Sequence, residues 1–180
     1  MSDILWCMRD DPELSLDVRL DRLAVSLALG DMMASDAVRV ALAVLAAGVD
    51  STGATALAGL PVDDKGLRLT DVEDLARTML DDAGVRLPAP GTAAWGDAAV
   101  VAFRMLNATV DPVTGASWLG DLWEKCDGDR SALSEMLQLV DAWEASLGER
   151  RLEVEREMLG SADTVLATAL KHTRGYRLTP

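Results

Sequence analysis

The stretch that decides the fold is residues 15–30, which read SLDVRLDRLAVSLALG. Its leucines at positions 16, 20, 23 and 27 recur at spacings of 4, 3 and 4. That spacing places them on one face of an α-helix, and Gly30 is a suitable stop signal. The sequence therefore predicts an amphipathic helix over 15–29 as the first element.

The same composition continues along the chain. Of 180 residues, 28 are leucine and 27 are alanine, and both residue types favour helices. Alternating strand patterns are hard to find, and turn residues fall at helix-length intervals. The sequence predicts an all-α fold, a compact bundle of six or seven helices with no significant sheet. Helices are expected at about 15–29, 35–47, 51–59, 70–83, 92–108, 111–125 and 129–147, and a final stretch at 149–172 continues the helical pattern after an interruption at Gly148.

One segment differs from the others in being apolar nearly all round. Residues 35–47 read SDAVRVALAVLAA, with a predicted inward stripe of Val38, Leu42, Leu45 and Val49. A helix with apolar residues on every side is usually buried. We therefore expect this helix to be the central one.

The clearest interior break is Pro88–Gly91. Four residues suit an ordinary loop between helices, and the chain length suits one domain. The sequence predicts a single helical domain over 1–180, with a loose N-terminus at 1–13 and a loose basic tail at 173–180 that carries Arg174 and Arg177 but no acid.

Charge and composition exclude several classes of protein. The chain has 30 acidic and 17 basic residues, a net charge of −13, which disfavours nucleic-acid binding. The longest apolar run, Val40–Val49, is too short to span a membrane, and no secretory signal is visible. Cys7 and Cys126 alone make no disulfide framework. We expect a cytoplasmic protein without membrane or nucleic-acid partners.

No motif of known chemistry is present. Phosphate-binding glycine loops, Gly-x-Ser-x-Gly and Glu-x-x-His are absent, and His172 is the sole histidine. Asp127-x-Asp129-x-Ser131 begins like a calcium loop, but that loop needs Gly and Glu where Ala132 and Gln138 stand. The sequence predicts no catalytic, cofactor-binding or metal-ligating residue and leans away from an enzyme. His172 is interpreted as a surface residue that favours the helix dipole.

The most informative segment is 111–147, which holds eight acids, two bases and three tryptophans. One interpretation is that Trp118 and Trp143 pack the helices at 111–125 and 129–147 together. The other is that an indole anchors a protein interface inside an acidic rim, with Trp6 as a further contact residue. Candidate partner-binding residues are Trp118, Trp123, Trp143, Asp121, Glu124, Asp141 and Glu144.

A resemblance covers residues 35–147. The motifs that carry it are Val49-Asp50-Ser51, Ala58-Gly59-Leu60, Asp111-Pro112 with Gly115-Ala116 and Trp118, and Trp143-Glu144. With these motifs the chain resembles a group of small, acidic, uncharacterised helical proteins of high-GC bacteria. The resemblance implies a helical fold and no particular activity.

Three functions remain open at this stage. The favoured one is a non-enzymatic interaction module that docks a basic protein partner, as an immunity or antitoxin-like protein or an adaptor does. The second is a helical enzyme or ligand-binding protein with an interhelical pocket, for which the scarce polar candidates are Arg104, Asn107, Thr109, Asp111 and His172. The third is self-association through the helix at 149–172, where Leu152, Leu159 and Leu166 form a seam.

Overall fold

A computed structural model describes residues 15–60 and 69–173. Within these ranges the chain forms eight α-helices and no strand, which confirms the all-α prediction with a helix count slightly above six or seven. None of these helices is both long enough and apolar enough to cross a bilayer. The helices are α1 (Leu16–Leu29), α2 (Ala34–Ala46), α3 (Thr52–Ala58), α4 (Leu69–Asp82), α5 (Pro90–Leu106), α6 (Pro112–Asp121), α7 (Ser131–Glu144) and α8 (Glu149–His172).

Some sequence predictions fall outside the described residues. These are the loose N-terminus with Trp6 and Cys7, and the basic tail beyond Thr173. Thr173 itself is buried, and both its backbone N–H and its hydroxyl donate to the Ala169 carbonyl at 2.9 Å. These hydrogen bonds attach Thr173 to the end of α8, so it does not belong to a loose tail.

The contacts between helices divide the chain into two compact units. One contains α1–α4 and the other contains α5–α8, and the division falls between Ala89 and Pro90. This position lies within the break that the prolines mark in the sequence. A single domain over the whole chain stays a prediction.

In the first unit, α1 agrees closely with its predicted pattern. Leu20, Leu23 and Leu27 are buried in the core of the unit, and Leu16 packs against that core. Gly30 ends the helix in the left-handed conformation at φ 73°, and its N–H donates to the Leu27 carbonyl. The leucine spacing alone was sufficient to predict this element.

The prediction that α2 is buried on all sides is wrong. Leu42 is 50% exposed, and Leu45 is exposed as well. The helix turns its small side chains toward α1, α3 and α4, because helices approach most closely where alanine and valine separate them. The buried residues of α2 are Ala34, Ala37, Val38, Val40, Ala41 and Val44.

The start of α3 is tied to the end of α4. The Ser51 hydroxyl accepts from the Ala54 N–H at 3.0 Å, which caps α3. The same hydroxyl donates to the Asp82 carboxylate at 2.8 Å, and the Thr52 N–H donates to that carboxylate at 3.1 Å. A single carboxylate of α4 thus holds the first turn of α3.

Gly53 lets α3 and α4 approach more closely than any other residue would allow. A Cβ at this position would lie 2.5 Å from the Met79 nitrogen and 2.6 Å from the Leu75 oxygen. Both atoms belong to the backbone of α4 and cannot rotate away. The packing of the two helices therefore requires glycine here.

We expect Gly53→Ala to lower the free energy of unfolding by about 2 kcal/mol, because the added methyl group must push α4 away. Urea denaturation followed by circular dichroism measures this change. Gly59→Ala is the matched control, since a Cβ there meets only ordinary contacts, the nearest at 3.5 Å. Equal effects of the two substitutions would contradict this account of the α3–α4 packing.

In the second unit, α8 packs against each of the other three helices. Leu119 of α6, Leu133 and Met136 of α7 and Met158 of α8 are fully buried. Gly115 of α6 packs against the Met105 side chain of α5, and Gly120 of α6 packs against Leu137 of α7. These two glycines make room for side chains of the neighbouring helices, whereas Gly53 makes room for a backbone.

Candidate functional site

Trp123 joins the end of α6 to α7. Its indole N–H donates to the Ser134 hydroxyl at 2.9 Å. The Arg130 guanidinium lies 4.6 Å from the centre of the Trp123 ring and donates to the Trp123 carbonyl at 3.1 Å. The half-buried indole therefore has its N–H satisfied and one face covered by a cation.

Trp143 joins α7 to α8 in the same way. Its indole N–H donates to the Glu155 carboxylate at 2.9 Å. The Arg151 guanidinium lies 4.3 Å from the ring centre, and its Nε donates to the Ser146 carbonyl at 2.9 Å. Two of the three predicted partner-binding tryptophans thus make the same kind of hydrogen bond inside their unit.

Trp118 is different from these two tryptophans. It is half-buried on α6, and its indole makes no hydrogen bond or ring contact with the residues that the structure describes. The core interpretation paired Trp118 with Trp143 across two helices. Instead, Trp123 makes the polar link between α6 and α7, and Trp143 reaches α8.

All eight acidic residues of 111–147 are exposed. Asp111 and Asp129 accept backbone N–H groups of their own turns, and the Asp127 carboxylate packs against Gly91. The other five make no hydrogen bond or ion pair with the described residues. Glu135 lies half a turn around α7 from Glu144. We therefore call the other four carboxylates the α6–α7 acidic surface; they are Asp121, Glu124, Asp141 and Glu144.

The two bases of the same segment do not cover this surface. Lys125 and Arg130 are both half-buried, and Arg130 is held against Trp123. The contacts of Gly120 with Leu137 and of Trp123 with Ser134 show that α6 and α7 run antiparallel. Leu137 lies between acidic residues of both helices and is 39% exposed. The surface is therefore anionic with one apolar side chain within it.

A second group of residues surrounds Trp95, which sequence reasoning missed. The Trp95 side chain is 1% exposed, and its indole N–H donates to the Asp127 carbonyl at 2.7 Å. The His172 ring stacks on this indole with ring centres 4.8 Å apart and an interplanar angle of 8°. His172 is exposed, as predicted, but it also closes the core at the end of α8.

The turn at 126–129 shapes this group. Gly128 has φ 78°, and a Cβ there would lie 2.8 Å from Cε1 of His172. Cys126 is buried, and desolvation raises the pKa of its thiol to about 12, so it is not a reactive thiolate. The sequence shows Asp127-Gly128-Asp129 and the single histidine, His172. No local pattern connects these residues with Trp95, because they lie far apart in the chain.

The polar residues predicted to form an interhelical pocket do not converge. The Asn107 amide donates to the Phe103 carbonyl and the Thr109 hydroxyl donates to the Arg104 carbonyl, so both serve the C-terminal end of α5. His172 instead lies against Trp95 of the same helix α5. Trp95 precedes Arg104 by nine residues, which is about 14 Å along the helix. In the described part of the chain, no group of three His, Cys, Asp or Glu side chains is placed to hold a metal ion.

Known proteins provide no relative for comparison. Neither the models of protein families, nor the curated proteins, nor the solved structures contain a match to this chain. The resemblance to uncharacterised helical proteins stays a prediction. The function can be judged only from the side chains described above.

We expect His172→Ala to lower the free energy of unfolding by about 1 kcal/mol, because it removes a stacked ring pair and uncovers Trp95. Urea denaturation measures the change. His172→Phe, which keeps a planar ring, should retain most of the stability, and Lys171→Ala should have little effect. A His172→Ala variant as stable as the original chain would show that the stack does not close the core.

The Asp111 carboxylate gives a prediction with a defined pH dependence. The hydroxyl and N–H of Thr114 hydrogen-bond this carboxylate and hold its pKa below its usual 3.8. A pKa lowered by folding adds stability above pH 3.8 that is lost as the pH falls through the folded-state pKa. The stability difference between the original chain and Asp111→Asn should therefore shrink on acidification below that pH. Urea denaturation at a series of pH values tests this, and a constant difference would contradict it.

Proposed function

We propose that this chain is a non-enzymatic helical interaction module that binds a protein with a basic surface through the α6–α7 acidic surface. One observation carries the proposal: the four carboxylates of that surface are exposed and have no partner in the described structure, while the neighbouring bases are half-buried. Immunity or antitoxin-like proteins and adaptors are examples of this class.

Electrostatics supports a protein partner of opposite charge. Segment 111–147 has a net charge of −6, from eight acids and two bases. Screening at physiological salt acts over about 8 Å, so carboxylates on adjacent helices add their fields. Such a field speeds encounter with a basic surface and repels nucleic-acid phosphates.

The tryptophans contribute unequally to this proposal. The indole N–H groups of Trp123 and Trp143 donate to residues of their own unit, so these two side chains hold the helices of the surface together. Trp118 and Leu137 are the side chains that can give a partner apolar contact beside the carboxylates. We expect binding to depend on charge for its rate and on these two residues for its lifetime.

The pocket-containing enzyme is less well supported. Its candidate residues are divided between the two ends of α5, and those at the C-terminal end serve as hydrogen-bond partners for the backbone. General acid–base chemistry needs groups that converge within hydrogen-bond distance of one substrate atom. The described residues provide no such convergence.

The test begins with affinity capture from an extract of the native cell, followed by binding kinetics with the purified partner. We expect the association rate to fall at least tenfold when Asp121, Glu124, Asp141 and Glu144 are all changed to their amides. The association rate should also fall steeply as the salt concentration rises from roughly 50 to roughly 500 mM, because salt screens electrostatic steering.

The matched control changes the same number of exposed acids in the first unit: Asp50, Asp71, Asp74 and Asp81 to asparagine. This variant has the same net charge as the first but keeps the α6–α7 acidic surface. Equal loss of binding in both variants would show that binding depends on the net charge of the chain and not on the α6–α7 acidic surface. An association rate that does not respond to salt would refute the proposed docking mechanism.

A further inference from the structure

The outer side of α8 carries a second regular pattern beside its buried face. The buried face consists of Val154, Met158, Ser161, Ala162, Val165 and Ala169. Next to it, six other residues recur at spacings of 4, 3, 4, 3 and 4, which is the heptad spacing of helices that pair with helices. We call these six residues the α8 seam; they are Leu152, Arg156, Leu159, Asp163, Leu166 and Leu170.

The residues that the structure describes leave the α8 seam largely uncovered. Leu152 is 58% exposed and Leu170 is 53% exposed, at opposite ends of the helix. Leu159 and Leu166 are half-buried between them. Two leucines this exposed on one helix face favour a partner that removes them from water.

The two charged residues of the seam also have no charged partner within residues 15–60 and 69–173. Arg156 and Asp163 are exposed, and neither makes an ion pair with the described residues, although the Arg156 Nε donates to the Leu152 carbonyl at 3.2 Å. By contrast, Arg150 on the same helix binds Glu153 at 2.9 Å and Glu157 at 3.1 Å. The seam therefore presents one positive and one negative charge, one heptad apart.

This arrangement of charges favours a second copy of the chain as the occupant. If two α8 helices pair in antiparallel orientation, Arg156 of each copy comes within about one helical turn of Asp163 of the other. Symmetry makes this ion pair twice. A parallel pair would place Arg156 opposite Arg156 and Asp163 opposite Asp163, which opposes association.

The terminal leucines match in the same antiparallel register. Leu152 of one copy faces Leu170 of the other, so that the most exposed leucines at the two ends cover each other. In the centre, Leu159 lies opposite Asp163 of the other copy and Leu166 lies opposite Arg156, so the central leucines flank the two ion pairs.

We propose that two copies of this chain associate through their α8 seams as an antiparallel, two-fold symmetric dimer. The proposal goes beyond the proposed function, because it involves a different helix and none of the carboxylates of the α6–α7 acidic surface. The seam extends over about 27 Å, which is short for a helix pair. The dimer should therefore dissociate on dilution.

Sedimentation equilibrium of the full chain tests the proposal. At high concentration the mass should approach twice 19.2 kDa. Arg156→Glu alone and Asp163→Arg alone each place like charges together at two points, and each should weaken the dimer about tenfold or more. Arg156→Glu combined with Asp163→Arg exchanges the charges and should restore dimerisation.

Controls separate the seam from folding and from general stickiness. Leu152→Ser should weaken the dimer, whereas Leu147→Ser should not, although Leu147 is 81% exposed outside α8. Circular dichroism and urea denaturation verify that each variant is folded. If a charge reversal unfolds the chain, the neutral variant Arg156→Gln with Asp163→Asn is measured in its place. A monomer at every concentration, or a double reversal no better than the single ones, would overturn the proposal.

Discussion

The unit formed by α5–α8 depends on the burial of one indole. Trp95 is almost fully removed from water, and a buried N–H without an acceptor would destabilise the fold. The Asp127 carbonyl supplies that acceptor, and the His172 ring covers the indole. Three segments distant in sequence are therefore held together at one side chain: the start of α5, the turn after α6 and the end of α8.

Small residues determine how the helices approach one another in each unit. Gly53 brings α3 against the backbone of α4, and Gly115 and Gly120 make room for a methionine and a leucine. In α2 the same preference places alanine and valine inward and leaves Leu42 and Leu45 in solvent. In such a chain the largest apolar side chains are not always the buried ones.

The two surfaces proposed for binding differ in chemistry. The α6–α7 acidic surface consists of carboxylates of one sign, which suits a partner of opposite charge. The α8 seam combines leucines with one positive and one negative residue, which suits a copy of itself. Trp123 and Trp143 act mainly as connections between helices, because their indole N–H groups donate to Ser134 and Glu155. An acidic sequence with many tryptophans does not by itself separate these roles.

The sequence by itself determined the helices and the sign of the surface charge. Leucine spacing and glycine or proline stops act within a few residues, so they are visible in a local pattern, as α1 demonstrates. Only the tertiary structure decided which face of α2 is buried, which tryptophan bonds to which helix, and that His172 closes the core over Trp95. These outcomes depend on how closely two helix backbones approach, and that distance is set by side chains far apart in the chain.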